Sequence, residues 1–224
     1  MPLMLASGEM GRKIGLMGGT FDPIHLGHLF IAEAARVHCD LDEVIFFPNG
    51  TPAHAEGKTA QLDAEIRLEL TQIAIQSNPH FRASRIEMER QGKSFAFDTI
   101  NQFQVELGPK TELFFIVGAD SMLDILTWYR GGELFELCRF VAASRPGFDL
   151  EIAKSRLTAA QRERVVWLEV PGLHIASRDL RARVRNGEPI RYLVPDGVAT
   201  RIAELGLYRE KSGEYHTEST LHGN

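Results

Sequence analysis

GLMGGTFDPIHLGHLFIAEAA, residues 15–35, passes from an apolar run through two glycines and an Asp-Pro pair into an amphipathic run that carries two histidines three residues apart. KIGLM (13–17) reads as a strand, and Leu29, Ala32, Ala35 and Arg36 fall at helical spacing just after it. Gly18 and Gly19 sit at the strand's end, where glycine lets the backbone approach a ligand closely. Pro23 constrains the turn, and a helix beginning near Gly27 aims its unpaired N–H groups and positive dipole end over the loop. The product is an anion site suited to phosphate. His25 and His28 at the helix start project to one side, toward the same anion. Taken singly, these residues also fit a capped helix and a tight turn; the strand before and the helix after favour phosphate binding. Two histidines with no third ligand at suitable spacing make an incomplete metal site, so no protein metal site is expected. Neither GxxxxGK[ST] nor GxGxxG occurs here, which sets aside a P-loop and an ordinary dinucleotide fingerprint.

Outward from this stretch, the 224 residues with 44% hydrophobic content suffice for one sizeable core. The formal charge of -5 advertises neither a nucleic-acid nor a membrane partner, so a bound anion must be held locally. Cys39 and Cys138 are too few for a disulfide framework or a four-thiolate metal site. The chain start has no basic segment before its short apolar patch, and no apolar stretch nears the roughly 20 residues that span a bilayer. The expectation is a cytoplasmic protein.

Apolar runs at DEVIFFP (42–48), FRASRIEM (81–88), ELFFIVG (112–118), RFVAAS (139–144) and VVWLEV (165–170) read as further strands. Helical spacing separates them, as in Ile66, Leu70, Ile73 and Ala74. This alternation predicts an α/β fold, Rossmann-like and doubly wound, with a mostly parallel sheet and helices on both faces. Residues 13–210 are expected to form a single domain, with 1–12 a flexible extension and the polar 211–224 a flexible tail.

GGTFDPIHLGH (18–28) resembles the signature of the nucleotidyltransferases that share an HxGH motif and transfer a nucleotidyl group with release of pyrophosphate. Further segments are similar, in order and spacing, to the bacterial nicotinate-nucleotide adenylyltransferases: FFPNGTPAH (46–54), SFAFDT (94–99), GAD (118–120), TWYR (127–130), RPG (145–147), IASRDLR (175–181) and GLYR (206–209). The resemblance covers about residues 13–209 and implies the nucleotidyltransferase type of fold. It also implies adenylyl transfer from ATP to nicotinate mononucleotide, giving nicotinate adenine dinucleotide and pyrophosphate in NAD biosynthesis. By the same resemblance His25, His28 and Arg181 are catalytic, and Gly18, Gly19, Thr20, Phe21, Gly118, Asp120 and Ser177 bind ATP. Asn49, His54, Ser94, Phe95, Ala96, Trp128 and Arg145 would form the pyridine-nucleotide side. Mg²⁺ is implied, bound mainly through ATP phosphates. A homo-oligomer is left open.

Elementary chemistry supports these roles separately. The indole of Trp128 offers a flat surface for a pyridine, or else closes the core. Asp120, at a strand end, suits ribose hydroxyls or a helix cap. Arg181 lies in a segment opened by Ser177, whose hydroxyl suits a helix cap and a phosphate, and its guanidinium suits triphosphate charge. Arg183 and Arg185 read as a solvated face.

Three residues depart from the family's pattern. Ala96 stands where threonine is common, Ala55 follows His54 where a basic residue often does (Lys58 being nearest), and Arg178 replaces the threonine of ISSTxIR. The nucleophile implied, a 5′-phosphate, is already an anion, so no general base is required; catalysis rests on alignment and charge stabilisation. Nicotinamide mononucleotide or phosphopantetheine as acceptor, and a nucleotide sensor without turnover, are the alternatives.

Overall fold

The computed structural model describes residues 11–52 and 60–209. Along them run the strands β1 (Lys13–Gly19), β2 (Glu43–Pro48), β3 (Thr51–Pro52), β4 (Phe81–Ala83), β5 (Lys93–Ser94), β6 (Glu112–Gly118), β7 (Arg139–Ser144) and β8 (Val165–Glu169). The helices are α1 (Leu26–Cys39), α2 (Ala64–Ile75), α3 (Ala96–Leu107), α4 (Leu134–Leu137), α5 (Leu150–Ser155), α6 (Ala159–Glu163), α7 (Ser177–Arg185) and α8 (Asp196–Glu204).

Six strands form one parallel sheet in the order β4-β2-β1-β6-β7-β8. Side chains alternate across it. Ile14, Leu16, Ile45, Phe47, Leu113, Phe115 and Phe140 join one core with Ile100 and Phe103 of α3 and Phe135 of α4. Met17, Val44, Phe46, Phe114, Ile116 and Val141 join the other, with Ala32 and Ala35 of α1, Leu70 of α2, Leu180 of α7 and Val198 of α8. Both faces are therefore covered, which is why the central strands read as continuous apolar runs. Each of the larger side chains among these, fully buried, is worth about 1.5–3 kcal/mol. The doubly wound expectation holds.

The chain enters at the middle of the sheet, runs out to one edge through β2 and β4, then returns to build the other half from β6. A crevice opens where the order reverses, beyond the carboxyl ends of β1 and β6. Gly18 and Gly19 close β1, and Gly118 closes β6.

The expected strand over 81–88 ends early. β4 stops at Ala83, and the Met88 N–H turns back to the Arg85 carbonyl at 2.7 Å. Phe81–Ala83 already pairs with Val44–Phe46 at the edge of the sheet, and the rest of the run crosses the sheet's end instead, burying Ile86 and Glu87. A small parallel ladder, Thr51 opposite Lys93 and Pro52 opposite Ser94, was not expected. Arg12, expected in the flexible extension, is joined to the sheet: its carbonyl accepts from the Glu112 N–H at 2.8 Å and its guanidinium pairs with Glu43. The expectations for 1–10 and for the tail from 211 lie outside the described residues, as do those for His54, Ala55 and Lys58.

Candidate active site

The helix after the glycine loop starts one residue earlier than expected, at Leu26, with His25 as its extended N-cap (φ -147°, ψ 171°). The His25 backbone N–H donates to His28 Nδ1 at 3.2 Å, and the two rings stack with centroids 3.6 Å apart and planes 20° from parallel. An Nδ1 that accepts a hydrogen bond carries no proton, so the neutral His28 ring bears its proton on Nε2 and can donate from there. His25 is 6% exposed, and burial lowers its pKa to about 4. The His28 pKa is also pushed well below the usual value, by burial first and by His25 second. Near neutrality both imidazoles are uncharged donors. His25 Nδ1 is buried without a hydrogen-bond partner.

Two glycines make room for this geometry. A Cβ on Gly18 would lie 2.5 Å from the Phe47 ring, so only glycine lets the backbone pass there. A Cβ on Gly27 would lie 3.0 Å from His25 Nδ1 and 3.1 Å from Cε1. The glycine between the histidines is the space into which His25 folds. Phe21 takes a left-handed conformation (φ 48°) and sets its ring edge-on to His28 at 5.1 Å. The residue is 2% exposed, so its side chain packs beneath His28 as part of the core.

Arg181 on α7 reaches the same loop. Its Nη1 donates to the Asp22 carbonyl at 2.7 Å and lies 4.0 Å from the Asp22 carboxylate, while its Nε is buried without a partner. The buried Asp22 carboxylate accepts from the Gln61 N–H at 2.6 Å and the Tyr208 hydroxyl at 2.7 Å. The Ser177 hydroxyl donates to the Pro23 carbonyl at 2.9 Å, and the N-cap of α7 is Ala176. Ser177 is therefore neither the cap nor free to donate its proton to a phosphate. It fastens α7 to the loop, across 154 positions of the chain.

Two cavities flank His28. The larger, about 380 Å³, is lined by Gly18, Asn49, Ser94, Phe95, Ala96, Gly118 and Trp128. The smaller, about 180 Å³, is lined by His25, Gly27, Arg145, Pro171 and Ile175. His28 and Ile31 border both. The expected pyridine-side residues that are described come together in the larger cavity, except Arg145. Arg145, just after the carboxyl end of β7, lines the smaller cavity instead. Gly118, expected with ATP, lines the larger cavity. Thr20 lies in the loop between Gly19 and Phe21. Trp128 is half-buried with its ring edge-on to Phe115 at 6.5 Å, and it walls the larger cavity. Asp120 is exposed and makes no side-chain cap; its Oδ1 lies where a Gly118 Cβ would come within 2.4 Å.

Three residues escaped the sequence reading. Tyr129 lines the larger cavity and packs on Phe95 with centroids 4.6 Å apart. Glu87, 6% exposed, also lines that cavity, accepts from Thr99 Oγ1 at 2.8 Å, and has its pKa pushed up by burial. Arg67, 3% exposed, donates to the carbonyls of Thr20 at 2.8 Å, Asn49 at 2.7 Å and Leu62 at 3.2 Å. A charged residue inside an amphipathic run reads as solvated, so no local signal marked Glu87 or Arg67.

Comparison with known proteins bears on this site. The cytidylyltransferase-like family profile matches residues 16–183. A probable nicotinate-nucleotide adenylyltransferase of Moorella thermoacetica is 47% identical over 202 residues, 89% of this chain and 93% of that protein. The chain belongs to the nicotinate-nucleotide adenylyltransferase family. Another probable nicotinate-nucleotide adenylyltransferase of this family, from Thermoanaerobacter, is 43% identical over 205 residues, 90% of this chain and 97% of that protein. A solved Plasmodium falciparum nicotinic acid mononucleotide adenylyltransferase, complexed with NaAD, shares the fold at a TM-score of 0.70 with 18% identity, covering 88% and 97% of the two chains. Among the described residues no group of three or more His, Cys, Asp or Glu side chains is placed to hold a metal, and no helix is long and apolar enough to cross a membrane.

Proposed function

We propose that this protein transfers the adenylyl group of ATP to nicotinate mononucleotide, releasing pyrophosphate and forming nicotinate adenine dinucleotide for NAD biosynthesis. The observation that carries this reading is His28, with its Nε2 proton, at the wall shared by two cavities. A group bridging two substrate sites is where a transferring phosphoryl group belongs.

The pyridine nucleotide occupies the larger cavity, with its ring against Trp128. Helix α3 begins at that cavity with Phe95 as an N-cap that supplies no side-chain bond, so its first backbone N–H groups are available to an anion. They suit the nicotinate carboxylate in place of the hydroxyl that Ala96 lacks. ATP occupies the smaller cavity beside Arg145, and its phosphates reach past His28 toward the Gly18–Thr20 loop, whose Gly18 lines the larger one. His25 and His28 donate to the α and β phosphates, and Arg181 holds the departing pyrophosphate. Asp120 serves the ribose from the exposed rim.

The acceptor phosphate attacks the α-phosphorus and the bond to the β-bridging oxygen breaks. No protein group takes a proton, and the neutral imidazoles gain strength as charge builds on the transferring group. Mg²⁺ arrives with ATP as part of the substrate, held by phosphate oxygens and screening their charge. The cytoplasm, where both nucleotides are found, is the proposed location; nucleic acid and membrane have no part in the reaction.

The test is product analysis after incubation with MgATP and, in turn, nicotinate mononucleotide, nicotinamide mononucleotide and phosphopantetheine. Nicotinate adenine dinucleotide plus equimolar pyrophosphate is expected. Release of pyrophosphate with none of the three would turn the reading to a nucleotide sensor.

A further inference from the structure

We propose that Arg67 is a positioning residue for the transfer step, setting the phosphate loop and the acceptor loop at a fixed distance from one another. This rests on the function proposed above. Thr20 follows β1 in the loop assigned to the phosphates, and Asn49 follows β2 and lines the larger cavity. One guanidinium holds the carbonyls of both, at 2.8 and 2.7 Å. The loops are otherwise joined there by the Asn49 N–H donating to the Gly19 carbonyl at 2.9 Å.

Capture of a carbonyl fixes more than one atom. The peptide group is planar and trans, so a C=O turned toward Arg67 turns the next N–H the opposite way. The Thr20 carbonyl thereby orients the Phe21 amide at the loop's tip. The Asn49 carbonyl orients the Gly50 amide, which is among the groups that favour the Glu87 carboxylate. The 49–50 peptide thus lies between a buried cation and a buried carboxyl group, with the Asn49 side chain held at the cavity wall.

Stability alone does not account for a guanidinium in this position. Arg67 is nearly inaccessible, and its hydrogen bonds go to three carbonyls rather than to a carboxylate. Burial lowers its pKa, with Asp22 the largest opposing influence. A buried cation carries a desolvation cost that an apolar residue of similar volume avoids. What it supplies is a rigid fork that reaches two loops in one plane, which a lysine cannot reproduce.

The experiment compares wild type, Arg67→Lys and Arg67→Ala by thermal melting and by full two-substrate kinetics. With Arg67→Lys we expect kcat to fall about 10²-fold, the loss typical of a misalignment near 1 Å, with each KM within about threefold of wild type. In Arg67→Ala, methylguanidinium should restore turnover, and methylammonium at the same concentration should not. Unchanged kcat in a folded Arg67→Lys would overturn the proposal. So would rescue of Arg67→Ala by both cations alike, or a rise in KM alone. Wild-type product analysis separately tests the assigned reaction: the variant-to-wild-type ratio is taken with whichever acceptor wild type uses. If wild type uses none, the ratio of acceptor-analogue affinities with and without a non-hydrolysable ATP analogue replaces it; equal ratios in wild type and Arg67→Lys would likewise overturn the proposal.

Discussion

Replacing Gly27 with alanine should lower activity, whatever the better helix propensity of alanine adds to stability. Alanine is the better helix former by up to about 1 kcal/mol, somewhat less in a first turn. On propensity alone the variant melts slightly higher. The added Cβ would nevertheless sit 3.0 Å from His25 Nδ1 and 3.1 Å from Cε1. Ordinary contact begins at 3.4 Å, so the imidazole must retreat by a few tenths of an ångström, up to about 0.4 Å. The ring is already stacked on His28 at 3.6 Å, which restricts its retreat. It must swing, carrying its donor off line. Since a misplacement near 1 Å costs about 10²-fold, a shift of about 0.4 Å should cost roughly 5- to 10-fold in kcat. The assay is initial-rate pyrophosphate release under saturating substrates, with a melt on the same preparation. Wild-type kcat in a variant that melts at or above the wild-type temperature would refute the claim that the glycine exists to make room for His25.

Three further outcomes are expected. His28→Ala should lower kcat about 10²–10³-fold with little change in ATP affinity, as for other donors aimed at developing charge; equilibrium ATP binding beside turnover checks the split. Because the native pKa of His25 is lowered from 6.5 to about 4, the unfolded chain takes up a proton below pH 6.5 that the native protein refuses until near pH 4. Stability contributed by His25 is therefore complete above pH 6.5 and lost progressively down to about pH 4, on the order of 3 kcal/mol; urea melts across that range should be steeper in pH for wild type than for His25→Asn. Ala96→Thr should sharpen the preference for nicotinate over nicotinamide mononucleotide by only about 0.5–1.5 kcal/mol, one neutral hydrogen bond, read as the ratio of kcat/KM values.

The central sheet was legible because its strands are buried on both faces and therefore uniformly apolar, as in β1, β2, β6 and β7. The edge was less so: in FRASRIEM the apolar residues continue past the point where the backbone leaves the sheet, and nothing local separates Phe81, which pairs, from Ile86, which does not. Among site residues, the histidines and glycines were readable because their chemistry is tied to a strand end and a helix start. The side on which Arg145 falls was not, since it depends on how β7 lies relative to α1. Asp22 could be read only as part of a turn, because its carboxylate is engaged from Gln61 and Tyr208, far along the chain. Arg67 was hidden for the converse reason: its three partners are backbone carbonyls, which leave no mark in a sequence.

The hydrogen bond from Tyr208 to Asp22 spans 186 positions of the chain. A buried bond to a carboxylate is worth roughly 1.5–3 kcal/mol, and here it fastens the glycine loop with a residue synthesised far later. Until residue 181 is made, a nascent chain holds both histidines but lacks this fastening and Arg181 as well. Closure of this loop is thus tied to synthesis through Tyr208, and a fragment released before it, although it carries the signature motif intact, lacks the clasp that secures Asp22.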